Sequence, residues 1–264
     1  MTAQDEGLPE IDTSTPHPAR MYDYWLGGKD NFPADREAAE EVLALVPQAR
    51  DMARENRAFL RRTVRFLAGE AGIRQFLDIG TGLPAQGNVH EVAQAVAPDA
   101  RVAYVDNDPL VHVHANALLA GSSTTIILAD LRKPDTILGH PKVRHLIDFD
   151  QPLALLLVAV LHFLTDEDDP AGIVARLRDA MAPGSFLAVS HATGDFNPEV
   201  ATKAARAYDR ATSPVVPRTR AEVARFFDGF ALVDPGLVQV SRWRPDGEIP
   251  EDNVWIYGGV GRKR

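Results

Sequence analysis

The chain has 264 residues, 45% hydrophobic and 25% charged, enough apolar mass for one well-buried α/β domain and too little length for two full ones. A formal charge of −9 repels phosphate backbones and anionic lipid, so neither nucleic acid nor a membrane surface is an expected partner. The absence of cysteine excludes disulfides, cysteine nucleophiles and thiolate metal sites, and it fits a cytoplasmic protein.

The first 18 residues are acidic and polar, with prolines at 9, 16 and 18, and have too little apolar surface to order themselves. They also lack the basic start and apolar stretch of an export signal, so a flexible tail is expected over 1–18. ARMYDYWLGGKDNF, residues 19–32, sets aromatic side chains ahead of a double glycine. Pro33 then stands where a first helical turn tolerates it, which predicts a helix over roughly 33–46. Between Gln48 and Glu70, Met52, Phe59, Leu60, Val64 and Leu67 recur at helical spacing. Arg50, Arg54, Arg57, Arg61 and Arg65 fill other positions and read as the solvated face of an amphipathic helix. Residues 19–72 are thus expected to form a helical cap and 73–264 the main domain, together making one globular unit.

After Gly72 the pattern changes to short β-rich runs separated by helical segments: QFLDIG, RVAYVDND, TTIILAD, PLALLLVAV and SFLAVSH. Such alternation predicts a Rossmann-like, doubly wound, mostly parallel sheet with helices on both faces. FALVDPGL and NVWIYGGV add two strands, for seven in all, and helices are predicted near 198–210 and 219–227. The longest apolar run, Pro152 to Leu161, is about half a bilayer span and reads as a buried strand.

Ligands of open parallel sheets bind beyond the carboxyl ends of the strands, so the residues closing each strand are the informative ones. The first strand closes in Asp78-Ile79-Gly80-Thr81-Gly82, where the glycines permit a sharp turn and Asp78 can complement an ammonium group. Asp106-Asn107 closes the second strand 26 residues after Gly80 and can accept the hydroxyls of a ribose. Asp130 closes the third, where its carboxylate can accept from an adenine amine while Leu131 packs on the base. His112 and His114, two apart on a helix, point away from each other, and no metal is expected.

Taken together, D-x-G-x-G, VDND and AD-L at these spacings resemble class I S-adenosylmethionine-dependent methyltransferases over about residues 73–195. One departure is Leu83-Pro84, standing where the family often has a third glycine. A narrower resemblance, covering nearly the whole chain, is to a bacterial methyltransferase family long catalogued as a domain of unknown function. It rests on ARMYDYWLGGKDNFPADREAAE, FLDIGTGLPAQGNVHEVAQ, YVDNDPLV and VLHFLTDEDDP. The resemblance implies S-adenosylmethionine as cofactor, with Asp78, Gly80, Thr81 and Gly82 at its methionine end. It also implies Asp106 and Asn107 at the ribose, Asp130 and Leu131 at the adenine, and the backbone from Val158 to Val160 near the amino group.

LHFLTDE, residues 161–167, is similar to the H-x-x-[ST]-D-E stretch of small-molecule O-methyltransferases, which implies His162 as general base. His191, closing the fifth strand, is a second candidate. Tyr22, Tyr24 and Trp25, with Asn31 beyond the glycines, suit a cap that closes over cofactor or acceptor. The expectation is O- or N-methylation of a small-molecule acceptor, with a homodimer left open. Two alternatives stand beside it: an NAD(P)-dependent oxidoreductase, whose fingerprint fails at Ala85, and a cofactor-binding protein without turnover.

Overall fold

The computed structural model describes residues 10–85, 87–118, 123–248 and 254–264. Three helices come first: α1 (Pro18–Trp25), α2 (Pro33–Leu45) and α3 (Ala49–Gly69). β1 (Gln75–Ile79), α4 (Val89–Val96), β2 (Arg101–Asp106), α5 (Pro109–Leu118) and β3 (Thr124–Leu128) follow. Next come α6 (Pro134–Gly139), α7 (Pro141–Leu146), β4 (Ala154–Val158), α8 (Pro170–Ala180) and β5 (Phe186–Ala192). The last elements are α9 (Pro198–Ala205), α10 (Arg220–Arg225), β6 (Phe230–Leu232), β7 (Val238–Gln239) and β8 (Ile256–Lys263). Seven of these ten helices open on proline, whose fixed φ and missing N–H cost nothing there, so these prolines mark helix starts rather than linkers.

The strand order is β3-β2-β1-β4-β5-β8-β6, with β1 to β5 parallel and β8 antiparallel to β5. Order reverses between β1 and β4, which puts the ligand crevice at their carboxyl ends. The sheet has eight strands rather than the expected seven. FALVDPGL supplies β6 alone, over its first three residues, and β7 follows as a separate short strand at Val238–Gln239, both pairing with β8. Side chains alternate between two cores: Leu77, Ile79 and Val105 face α6, α7 and α8, whereas Phe76, Val102 and Tyr104 face α3, α4 and α5.

The ordered chain starts earlier than the composition predicts. Glu10 to His17 fall in the expected tail, yet Pro16 and His17 are buried, and the His17 N–H donates to Asp35 Oδ1 at 2.8 Å. Asp35 Oδ2 also accepts from Phe32 N at 2.7 Å, so one buried carboxylate ties the starts of α1 and α2 together. Arg20 of α1 then grips Asp108, beyond β2, with two 2.8 Å bonds from Nε and Nη2. Composition missed this segment because its partners are buried polar groups distant in sequence, not apolar neighbours. The remainder of the expected tail, residues 1–9, lies outside the described residues.

Candidate active site

A cavity of about 250 Å³ lies at the reversal point, roofed by the helical cap. Gly80 and Gly82 bring one side of its floor, and Val158, Ala159 and Val160 the other. Gly80 adopts φ +76°, and a Cβ there would collide with Val160, so glycine is required on both counts. Ala159 adopts φ 56°, a conformation L-residues rarely take; its N–H donates to Ser190 O at 3.1 Å and Ser190 Oγ at 2.9 Å. Backbone strain of this kind gathers at binding sites, where the surroundings enforce it.

All three strand-end carboxylates reach this cavity: Asp78, Asp106 and Asp130 line it together with Thr81, Asn107 and Leu131. Asp78 is buried, and burial pushes its carboxyl up to about 7 against the pull of a Thr81 hydrogen bond and the Arg57 guanidinium. Asp106 is raised too, chiefly by burial, while its oxygens accept from Gly82 N at 2.8 Å and Asp108 N at 3.0 Å. Asp130 accepts from Arg132 Nε at 3.0 Å, and this bonding holds its carboxyl below the usual range despite partial burial.

Several expected positions serve the frame instead of the cavity. His191 is buried away from it: Nδ1 lies 2.7 Å from Ala192 O, Nε2 lies 3.3 Å from Arg218, and the ring stacks on Phe226. Burial pushes that imidazole down to about 3, so it is a neutral packing group rather than a site residue. Tyr24 turns outward, its hydroxyl donating to Glu40 and its ring lying beneath Arg50. Asn31 does not line the cavity; its Nδ2 donates to Asp23 Oδ2 at 2.8 Å and to Gly28 O at 3.1 Å. Gly28 is needed because a Cβ would strike the Asp23 carboxylate, so WLGGKDN is a turn folded around Asp23.

Tyr22, Trp25 and His162 do line the cavity. The His162 setting opposes the general-base role implied by LHFLTDE. Its Nδ1 accepts from Ala192 N at 3.3 Å, which leaves the proton on Nε2. Burial, with His191 and Arg218 beside it, pushes the ring well below its ordinary range. A second proton would place a cation next to Arg218 in a dry pocket.

Sequence reading missed several cavity residues that carry charge or hydrogen-bonding capacity, among them Asn56, Arg57, Arg132, Asp23 and Tyr208. Arg50, Arg54, Arg61 and Arg65 are exposed as expected, but Arg57 turns to the cavity. Asn56 is buried, its Nδ2 donates to the Tyr22 hydroxyl at 3.1 Å, and its Oδ1 has no partner. An asparagine among Met52, Phe59 and Leu60 on an apolar helix face was the available signal. His112 and His114 address different neighbours, Asn116 and Asp30 respectively.

A parallel sheet with a glycine turn at its switch point, and acidic residues closing three successive strands, defines a nucleoside-cofactor fold. Residues 4–264 match the family described as S-adenosyl methyltransferase, and the chain belongs to that family. It is therefore an S-adenosylmethionine-dependent methyltransferase, and the nicotinamide alternative is set aside. Among solved structures it is similar to a DUF574 family protein from Streptomyces avermitilis: 45% identity, 97% of this chain and 100% of that one covered, TM-score 0.93. A protein named as a candidate methyltransferase from Thermobifida fusca is similar at 46% identity, with 97% and 98% covered and TM-score 0.92. Human N-acetylserotonin methyltransferase, solved with S-adenosylmethionine, shares the fold at 15% identity and TM-score 0.51, with 86% of this chain and 57% of that one covered. No functionally curated protein matches the chain. Among the described residues, no helix is long and apolar enough to cross a membrane.

Proposed function

We propose that the protein methylates an oxygen or nitrogen of a small molecule held between the strand ends and the helical cap. One observation carries the cofactor placement: Asp78 is a buried carboxylate with no ion-pair partner among the described residues, in a cavity that also holds the orphaned Asn56 Oδ1. Both are what an ammonium group needs. Asp78 would hold the methionine amino group, Asp106 and Asn107 the ribose hydroxyls, and Asp130 with Leu131 the adenine.

When bound, S-adenosylmethionine supplies a methyl group already activated on a sulfonium. The protein's work is then to orient the acceptor and exclude water, and orientation lowers such barriers by roughly 7–11 kcal/mol. Tyr22 and Trp25 close the roof over that space. His162 acts as a positioning residue, with Nε2–H available to an acceptor lone pair.

Calorimetric titration with S-adenosylhomocysteine and NAD(P), followed by turnover of methyl-labelled S-adenosylmethionine over hydroxyl and amine acceptors, tests this reading. Binding of the first ligand alone and a labelled product of low molecular mass are expected. Label found only in macromolecules, or no S-adenosylhomocysteine binding, would overturn it.

A further inference from the structure

The cavity is divided chemically along its length. Its ionisable carboxylates and guanidinium groups, Asp78, Asp106, Asp130, Asp23, Arg57 and Arg132, belong to the strand ends and to the adjoining parts of α1 and α3. The remainder is walled by α2, the start of α3, α9 and the segment from 205 to 217. Among the described residues the lining there is uncharged and, Ser213 and Tyr208 apart, apolar, with Val46, Met52, Ala204, Val215 and Trp255 prominent. These residues belong to a third hydrophobic cluster, separate from the two cores of the sheet.

One phenol stands in this wall. Tyr208, directly after α9, is 7% exposed and lines the cavity, with its ring 6.0 Å from that of Phe163. Its hydroxyl makes no hydrogen bond to any described residue, and burial alone raises its ionisation above the usual phenol range. A hydroxyl that borders a cavity and bonds to no described protein group is free to bond to whatever the cavity holds. Among the described residues the wall has no charge to neutralise a charged guest, and desolvating an unpaired ion there is prohibitive. Apolar carbon around the Tyr208 and Ser213 hydroxyls matches an uncharged, largely apolar molecule with few polar atoms.

We propose that this chamber is the acceptor subsite, that it takes uncharged, largely apolar compounds bearing a hydroxyl, and that the Tyr208 hydroxyl pairs with that hydroxyl. The inference rests on the methyltransferase reading of the neighbouring strand ends. It adds the acceptor's chemical class, which excludes sugars, nucleotides and amino acids on desolvation grounds.

The test uses the full chain saturated with S-adenosylhomocysteine, titrated calorimetrically with 1-naphthol, naphthalene and 1-naphthoate. Binding of 1-naphthol, with 1-naphthoate at least tenfold weaker, is expected. Tyr208→Phe should weaken 1-naphthol about tenfold, the worth of one hydrogen bond, and leave naphthalene unchanged. Ala204→Phe, which fills the chamber, should abolish naphthol binding while S-adenosylhomocysteine still binds as in the parent. Naphthoate binding as well as naphthol, equal loss of both neutral probes in Tyr208→Phe, or no naphthol binding by a protein that binds S-adenosylhomocysteine overturns the acceptor inference alone. Loss of S-adenosylhomocysteine binding by the unmodified protein overturns the methyltransferase reading beneath it.

Discussion

The two ends of the cavity are built on opposite principles. At the strand ends, charges are buried and largely given partners in advance: Asp106 by the Gly82 and Asp108 amides, Asp108 by Arg20, and Asp130 by Arg132. At the cap end the wall is uncharged and the Tyr208 hydroxyl has no partner among the described residues. The rim is rigid and specified polar group by polar group, as suits one invariant cofactor. The chamber is shaped by packing, which tolerates changes of volume and therefore changes of acceptor.

Breaking a prepaired charge should have the largest effect. Arg20→Ala strands Asp108, which is fully buried, and also unpins α1 from β2. Such losses cost about 3–5 kcal/mol. Urea unfolding should show it, and a change below about 1 kcal/mol would mean that the cap is held by packing alone.

The Asp78 carboxylate should produce the next effect, on affinity rather than stability. Its raised value means that the ionised form is disfavoured in the folded, ligand-free protein. The stability it contributes is therefore greatest below its ordinary 3.8 and is lost as pH rises toward about 7. The ligand's ammonium group needs the ionised form, so S-adenosylhomocysteine should bind more tightly as pH climbs from 5.5 and level off above about 7, with a limiting slope of about tenfold per pH unit. Asp78→Asn should weaken binding about 10- to 100-fold, flatten that slope and stabilise the ligand-free protein. A slope that survives in the variant would assign the proton to another group.

The smallest effect is expected at His162, which touches both regions. His162→Gln keeps a donor in the cavity without an imidazole, so kcat/KM should stay within about threefold of the parent, whereas His162→Leu should fall about tenfold. A parent pH profile with an inflection near 6.5 that His162→Gln removes would restore the general-base role.

The rim was legible in the chain because it is built from local grammar. A strand must end, its last carboxylate then faces the crevice, and Asp78, Asp106 and Asp130 stand at three such ends. Strand succession and the amphipathic helix over 49–69 followed from periodicity in the same way. The chamber was not legible. Met52, Ala204, Val215 and Trp255 come from four distant segments, and nothing in their own neighbourhoods separates a cavity wall from ordinary core.

Histidines show the same limit. His162 in LHFLTDE was the first candidate base and His191 the second, yet packing turned His162 to the cavity and His191 into the core, and a backbone amide chose the His162 tautomer. The sequence by itself determined which elements form, in what order, and which carboxylates their ends carry, because those depend on residues a few positions apart. Only the tertiary structure decided which side chains share an enclosed space, where Arg20 finds its partner 88 residues away, and which hydroxyl is left for a guest, because burial and desolvation arise only when distant segments meet.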